Sequence, residues 1–177
     1  MPAGSNQSIL SGGKNIFLIG FMGSGKTHWG RIWAEKYQLN FVDLDELIEE
    51  RQGTSVAHIF DTNGEEHFRL LEKDALHSCE KLEHSIIACG GGTPCFFDNL
   101  DWMNQQGFTI FLSCEPPEIL RRVSLEKDKR PLFSKLNPEE FLDFIRAKLA
   151  ERQPFYDRAK YHLTPAELND TSLEQFI

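Results

Sequence analysis

Five short apolar runs punctuate the chain: Asn15–Gly20, Phe41–Asp45, Ser85–Gly90, Phe108–Ser113 and Tyr161–Thr164. Helical patterns lie between most of them. Continuous apolar runs alternating with helices predict a parallel sheet covered on both faces. The first helix runs from Thr27 to Gln38, and its Trp29, Ile32 and Trp33 recur at i, i+3, i+4. That stripe reads as core packing and not as a base-stacking platform. Gly53 suits a helix end, Thr54 or Ser55 suits a helix start, and Asn63-Gly64 is a turn signal before a helix over Glu65–Lys81. Thr93–Gln106 reads as a turn and then an amphipathic helix. Pro116-Pro117 open a helix through Arg121 and Arg122. Pro138-Glu-Glu opens another that runs to Arg152, where Pro154 is expected to stop it. A last strand and a C-terminal helix from about Ala166 complete the prediction. Ligands bind such sheets at the carboxyl ends of the strands. On that rule one edge gathers the glycine-rich turn after the first strand, Asp43 and Asp45 after the second, and Gly90-Gly91-Gly92 after the third.

Composition narrows the classes. At 177 residues, 40% apolar and 26% charged, one soluble domain with a sizeable core is expected. The net charge of -8 provides no basic field for nucleic acid, so any anionic substrate needs locally clustered Arg and Lys. No apolar run reaches membrane-spanning length. Met1–Lys14, rich in Gly, Ser, Asn and Gln, lacks the pattern of a signal peptide and reads as a flexible tail. Cys79, Cys89, Cys95 and Cys114 show no CxxC spacing, which favours buried free thiols in a reducing cytosol over disulfides or zinc.

The chemistry centres on Gly20-Phe21-Met22-Gly23-Ser24-Gly25-Lys26-Thr27, placed between the first strand and the first helix. Strand, glycine turn, Gly-Lys-Thr and helix form a phosphate-cradling P-loop. Its backbone N–H groups and the helix start attract an anion. Lys26 would reach the terminal phosphates, and the Thr27 hydroxyl would ligate Mg²⁺. His28 follows directly, as a helix-surface residue or a further nucleotide contact. In a strand, Asp43 and Asp45 share a face. One can hold Mg²⁺ through water while the other meets a substrate hydroxyl; the competing reading is a solvated strand end with Asp45 capping the next helix. Arg69 and Glu72 are three apart on a helix, and a surface ion pair is the default for such spacing. Gly90–Gly92 let a ligand approach main-chain N–H groups. The charged stretch Glu126–Ser134, with Arg130 in it, is a solvated loop or a lid over phosphates.

Taken together these residues resemble the shikimate kinase family of small P-loop kinases, from about Asn15 onward. The resemblance rests on the P-loop, Asp43-x-Asp45-x-x-Ile48-Glu49, Gly53-x-Ser55, Ile59-Phe60, Gly64-Glu65, Phe68-Arg69-x-x-Glu72, Gly90–Gly92, Arg130-Pro131-Leu132 and Arg152-x-Pro154-x-Tyr156. It implies a three-layer α/β fold with a five-stranded parallel sheet, in a single domain. In that domain about 46–80 would bind the acceptor and about 124–137 would form a mobile lid. It implies ATP-dependent phosphorylation of the 3-hydroxyl of shikimate by a cytoplasmic monomer using Mg²⁺. By resemblance, Gly23, Ser24, Gly25, Lys26, Thr27 and His28 bind ATP, with Arg122 on the adenine side and Arg130 in the lid. Thr27 and Asp43 belong to the metal site. Asp45 contacts the acceptor hydroxyls and is the candidate base. Arg69 and Arg152 hold the carboxylate, with Gly90, Gly91 and Gly92 beside it. Family members often carry a basic residue beyond the last strand, near the adenine; here that region reads Pro165-Ala166-Glu167-Leu168-Asn169. A kinase for gluconate or a nucleoside monophosphate, and a nucleotide-binding regulator without catalysis, are the alternatives.

Overall fold

The computed structural model describes residues 14–125 and 137–176. Five strands, β1 (Asn15–Ile19), β2 (Asn40–Asp43), β3 (Ser85–Ala88), β4 (Gly107–Leu112) and β5 (Tyr161–Leu163), form one sheet in the order β2-β3-β1-β4-β5. Every pairing is parallel, with Leu18 opposite both Ala88 and Ile110. The helices are α1 (Lys26–Tyr37), α2 (Leu44–Gln52), α3 (Val56–Ser78), α4 (Asn99–Gln106), α5 (Pro116–Ser124) and α6 (Pro138–Tyr156).

The unbroken apolar strands are explained by two separate cores. Side chains alternate across a strand. Ile16 and Leu18 of β1 therefore join Trp33, Ala34, Ile86, Ile110 and Leu163 on one side. Phe17 and Ile19 join Ile48, Ile59, Phe68, Leu76, Met103 and Tyr156 on the other. A third cluster, Phe21, Ile119, Val123, Phe141 and Ile145, ties α5 to α6 beside the first strand's end. The result is the predicted three-layer α/β fold.

Four local expectations change. First, β2 stops at Asp43, whose carboxylate accepts hydrogen bonds from the N–H groups of Asp45 (3.1 Å) and Glu46 (3.4 Å). Asp43 is thus the N-cap of α2, and Asp45 lies in that helix's first turn, not on the strand. Second, Asn63-Gly64 does not separate two helices with a loop. Gly64 (φ 80°, ψ 173°) kinks one continuous element, α3. Third, α6 runs through Pro154 to Tyr156. So close to the helix end the missing N–H costs little, and the buried Tyr156 ring, stacked 4.9 Å from Phe111, holds the last turn in place. Fourth, the C-terminal segment makes 3₁₀ turns at Pro165–Glu167 and Ser172–Phe176, not an α-helix. There the Asn169 amide oxygen and the Ser172 hydroxyl take backbone N–H groups at 2.8 and 2.7 Å, in competition with a helical ladder. The cysteines are free as expected, with Cys79 and Cys89 buried.

Candidate active site

A cavity of about 920 Å³ opens at the carboxyl edge of the sheet and is walled by two unlike sets of groups. One wall is the turn after β1. Gly25 takes φ 98°, a left-handed conformation that glycine adopts without penalty, and α1 starts at the next residue. The helix's first N–H groups have no intrahelical acceptor and carry its positive dipole end. The Lys26 ammonium donates to the carbonyls of Gly20 and Phe21, both at 2.8 Å, which holds its charge over the turn. The Thr27 hydroxyl donates to Asp43 Oδ2 at 2.8 Å. A hydroxyl beside a carboxylate is an oxygen-only donor set, suited to a hard cation that keeps water and phosphate ligands. Among the described residues no group of three or more His, Cys, Asp and Glu is arranged to chelate a metal, so phosphate oxygens would complete such a site.

Two P-loop side chains depart from the simplest picture. Ser24 is fully buried and its hydroxyl has no partner among the described residues, so Ser24 presents main chain to the cavity. His28 is exposed at the rim, with its ring edge-on to Trp29 at 5.0 Å. Arg122 reaches across from α5 and donates to the carbonyl of Gly23 at 2.9 Å. It is braced by Glu118, whose carboxyl is held down to about 2 by hydrogen bonds from Arg121 and Arg122.

The opposite wall comes from α2, α3, α6 and the glycine turn after β3. Arg69, on the α3 segment after the Gly64 kink, donates through Nη1 to Glu72 Oε2 at 2.8 Å and through Nη2 to Glu65 Oε1 at 2.9 Å. This is not the surface pair that the spacing suggests: the Glu72 side chain is 1% exposed and that of Arg69 9%. Burial opposes the Arg69 charge, but Glu72 and then Glu65 outweigh it and raise its pKa further. The second Glu72 oxygen accepts from the Thr93 hydroxyl at 2.6 Å, and Asn99 in turn donates to the Thr93 carbonyl at 2.9 Å. With both carboxylate oxygens engaged, the Arg69 guanidinium is fixed above the Phe96 ring, 4.2 Å from its centroid. Arg152 differs: its guanidinium lies 5.3 Å from the Phe21 ring centroid, and no ion pair joins it to a described residue.

The three glycines are where these groups converge. A Cβ on Gly92 would stand 2.6 Å from Arg69 Nη2, one on Gly90 2.8 Å from Glu72 Oε1, and one on Gly91 3.2 Å from Arg152 Nη1. Gly91 also accepts at its carbonyl from the Tyr156 hydroxyl, at 2.6 Å. Burial pushes the Tyr156 phenol well above its ordinary range, so it stays a donor. Asp45 lines the same cavity, its Oδ1 3.4 Å from a Cβ built on Gly90.

Of the residues singled out in the sequence, Gly23, Gly25, Lys26, Thr27, His28, Asp43, Asp45, Arg69, Gly90, Gly91, Gly92, Arg122 and Arg152 line this one cavity. Arg130 and most of the expected lid lie outside the described residues, as does most of the expected tail. Thr93, Glu65 and the Tyr156 hydroxyl were not singled out as functional. Only Glu65 had a signal, its i, i+4 spacing to Arg69. The arrangement gathers an anion cradle, a hard-cation site, a carboxylate and two guanidiniums around one space. It can align a phosphorylated donor with a small anionic acceptor.

A parallel sheet of this strand order with a Gly-Lys-Thr turn after its central strand is the fold of the P-loop kinases. A family model described as shikimate kinase matches residues 22–177. A shikimate kinase from Phocaeicola vulgatus is 46% identical over 155 residues, which cover 88% of this chain and 89% of that protein. Among solved structures, a shikimate kinase from Bacteroides thetaiotaomicron superposes with a TM-score of 0.86 at 40% identity, over 92% of this chain and 95% of that one. One from Acinetobacter baumannii, in complex with shikimate, gives 0.80 at 30% identity, over 97% and 92%. The chain belongs to the shikimate kinase family.

Proposed function

We propose that this protein transfers the γ-phosphoryl group of ATP to the 3-hydroxyl of shikimate, giving shikimate 3-phosphate in the shikimate pathway. The observation that carries the reading is the pairing, inside one cavity, of the Lys26–Thr27 phosphate cradle with the Arg69, Arg152 and Gly91 wall. Shikimate is a small carboxylate bearing hydroxyls. A guanidinium grips a carboxylate through two parallel hydrogen bonds. Arg152, without a described acidic partner, supplies the uncompensated charge, and Arg69, already held by Glu72, supplies direction.

Phosphoryl transfer demands alignment and positive charge more than covalent chemistry. In this reading the N–H groups of Gly23–Thr27 hold the phosphates, and Lys26 swings from the Gly20 and Phe21 carbonyls onto them. Thr27 and Asp43 would hold Mg²⁺, which neutralises phosphate charge when bound. Asp45 orients the acceptor hydroxyl and takes its proton as the oxygen bonds to phosphorus and the bond to the leaving ADP oxygen breaks. Arg130 is assigned to the transferred group by family resemblance alone. Free thiols fit a reducing compartment such as the cytoplasm.

The test is an ADP-release assay over a panel of acceptors, with ¹H–³¹P correlation of the product. Shikimate-dependent ADP release with phosphorus coupled to the proton at C3 is expected. Turnover of gluconate or a nucleoside monophosphate with shikimate inert would refute the assignment, and ATP binding without any phosphorylated product would identify a regulator instead.

A further inference from the structure

The two ends of the P-loop face different surroundings. Near one end, the Met22 N–H is 3.4 Å from a Cβ built on Gly91, next to Arg152, so it borders the acceptor wall. At the other end, a Cβ on Gly25 would stand 3.1 Å from Trp29 Cδ1, 3.4 Å from Trp29 Nε1 and 3.7 Å from Arg122 Nη1. An indole edge and a guanidinium therefore meet at the point where α1 begins, away from the acceptor wall. Trp29 is half-buried and lines the cavity, so it is not the purely internal packing residue that its spacing predicts. Its ring is stacked on Trp33 at 5.9 Å and 24°, and Trp33 is itself pinned through Nε1 to the carbonyl of Asn169 at 2.8 Å. The indole is thus held rigidly between the P-loop and the segment after β5, in which Pro165–Asn169 contain no basic side chain. The Trp29 indole N–H has no hydrogen-bond acceptor among the described residues, and it is not among the buried atoms left unpaired there.

We propose that Trp29, flanked by Arg122, is the contact surface for the nucleoside end of the phosphate donor and supplies much of the selectivity for a nucleotide over bare polyphosphate. The inference rests on the kinase reading above. If the phosphates lie along Gly23–Thr27 and the acceptor lies by Gly91 and Arg152, the rest of the donor must leave past Gly25, Trp29 and Arg122. A heteroaromatic base gains from stacking on an indole and from a guanidinium at its face, whatever its substituents. Neither interaction is available to inorganic phosphates.

The experiment is calorimetric titration, with Mg²⁺ present, of ADP and of inorganic tripolyphosphate into the wild type, Trp29→Leu and Trp29→Phe. The Leu variant is expected to bind ADP about tenfold more weakly, about 1.4 kcal/mol, with tripolyphosphate within about twofold of wild type. The Phe variant should fall between. Unchanged ADP affinity, or equal weakening toward ADP and tripolyphosphate, overturns the proposal, because the indole would then be absent from the donor contact or merely prop the loop. Wild-type tryptophan emission gives a reading that needs no variant to fold: ADP should quench it and tripolyphosphate should not. Equal responses overturn the proposal. A wild type that binds neither ligand overturns the kinase reading together with this one. Wild-type binding with insensitive variants overturns this one alone.

Discussion

The two walls of the cavity are built by opposite strategies. The phosphate wall is local: Gly20 to Thr27 are consecutive, and what they offer is mostly backbone, a helix end and one lysine that rests on carbonyls of its own turn. The acceptor wall is assembled from α2, α3, α6 and the turn after β3, and its chemistry is in side chains. There a charged group cannot rest on its own backbone. Arg69 is therefore held by Glu72, Glu72 by Thr93, and Thr93 by Asn99, all within the protein. A local wall can rearrange when its ligand arrives. A wall of interlocked buried groups is already in position, which limits the ordering cost of binding.

That contrast can be broken by mutation, and the effects should fall in a definite order. The largest is at the point where the walls meet. Asp45→Asn keeps the shape of the α2 first turn but removes the proton acceptor, and kcat is expected to fall about 10²–10⁴-fold in steady-state assays. A loss below about fivefold would make Asp45 a spectator. Next, Glu72→Ala leaves a buried guanidinium with only the exposed Glu65 as a partner, and denaturant unfolding should show a loss of about 3–5 kcal/mol. An equally exposed pair, such as Arg31–Glu46, should cost under about 1 kcal/mol when broken. If the two losses match, the acceptor wall is not the interlocked structure described here. Third, Arg152→Ala should raise the KM for shikimate about 10–100-fold through loss of a charge-assisted contact of about 1.5–3 kcal/mol. The smallest effect is at Tyr156→Phe. It removes one hydrogen bond to Gly91 and should cost about 1 kcal/mol of stability, with a few-fold rise in shikimate KM and an unaltered ATP KM.

The same division decided what could be read from the chain. The phosphate wall was legible because its meaning lies in consecutive residues and in the strand and helix that flank them. The sheet was legible because two-sided burial makes strands apolar throughout, as in Ile16–Ile19. The acceptor wall was only partly legible. Arg69 and Glu72 announce a pair by spacing, but not that both are buried, since burial depends on Phe68, Phe96 and Thr93 closing over them. Asp43 and Asp45 were placed on one strand by their alternation, yet the Asp43 carboxylate caps α2 and carries Asp45 into a helix. The two still share the cavity, by a different route from the one expected. Pro154 misled for a similar reason: a rule about local backbone was outweighed by a buried tyrosine two residues on. Trp29 fitted the packing stripe of α1, and only the position of Gly25 and Arg122 shows that its edge borders the cavity.

The central claim is that donor and acceptor occupy separate walls of one cavity, with Arg152 belonging to the acceptor. The most direct measurement is a pair of calorimetric titrations on Arg152→Ala, shikimate in one and ADP in the other. The account predicts shikimate binding weakened at least about tenfold and ADP binding within about twofold of wild type. Loss of ADP affinity with shikimate binding intact would contradict it.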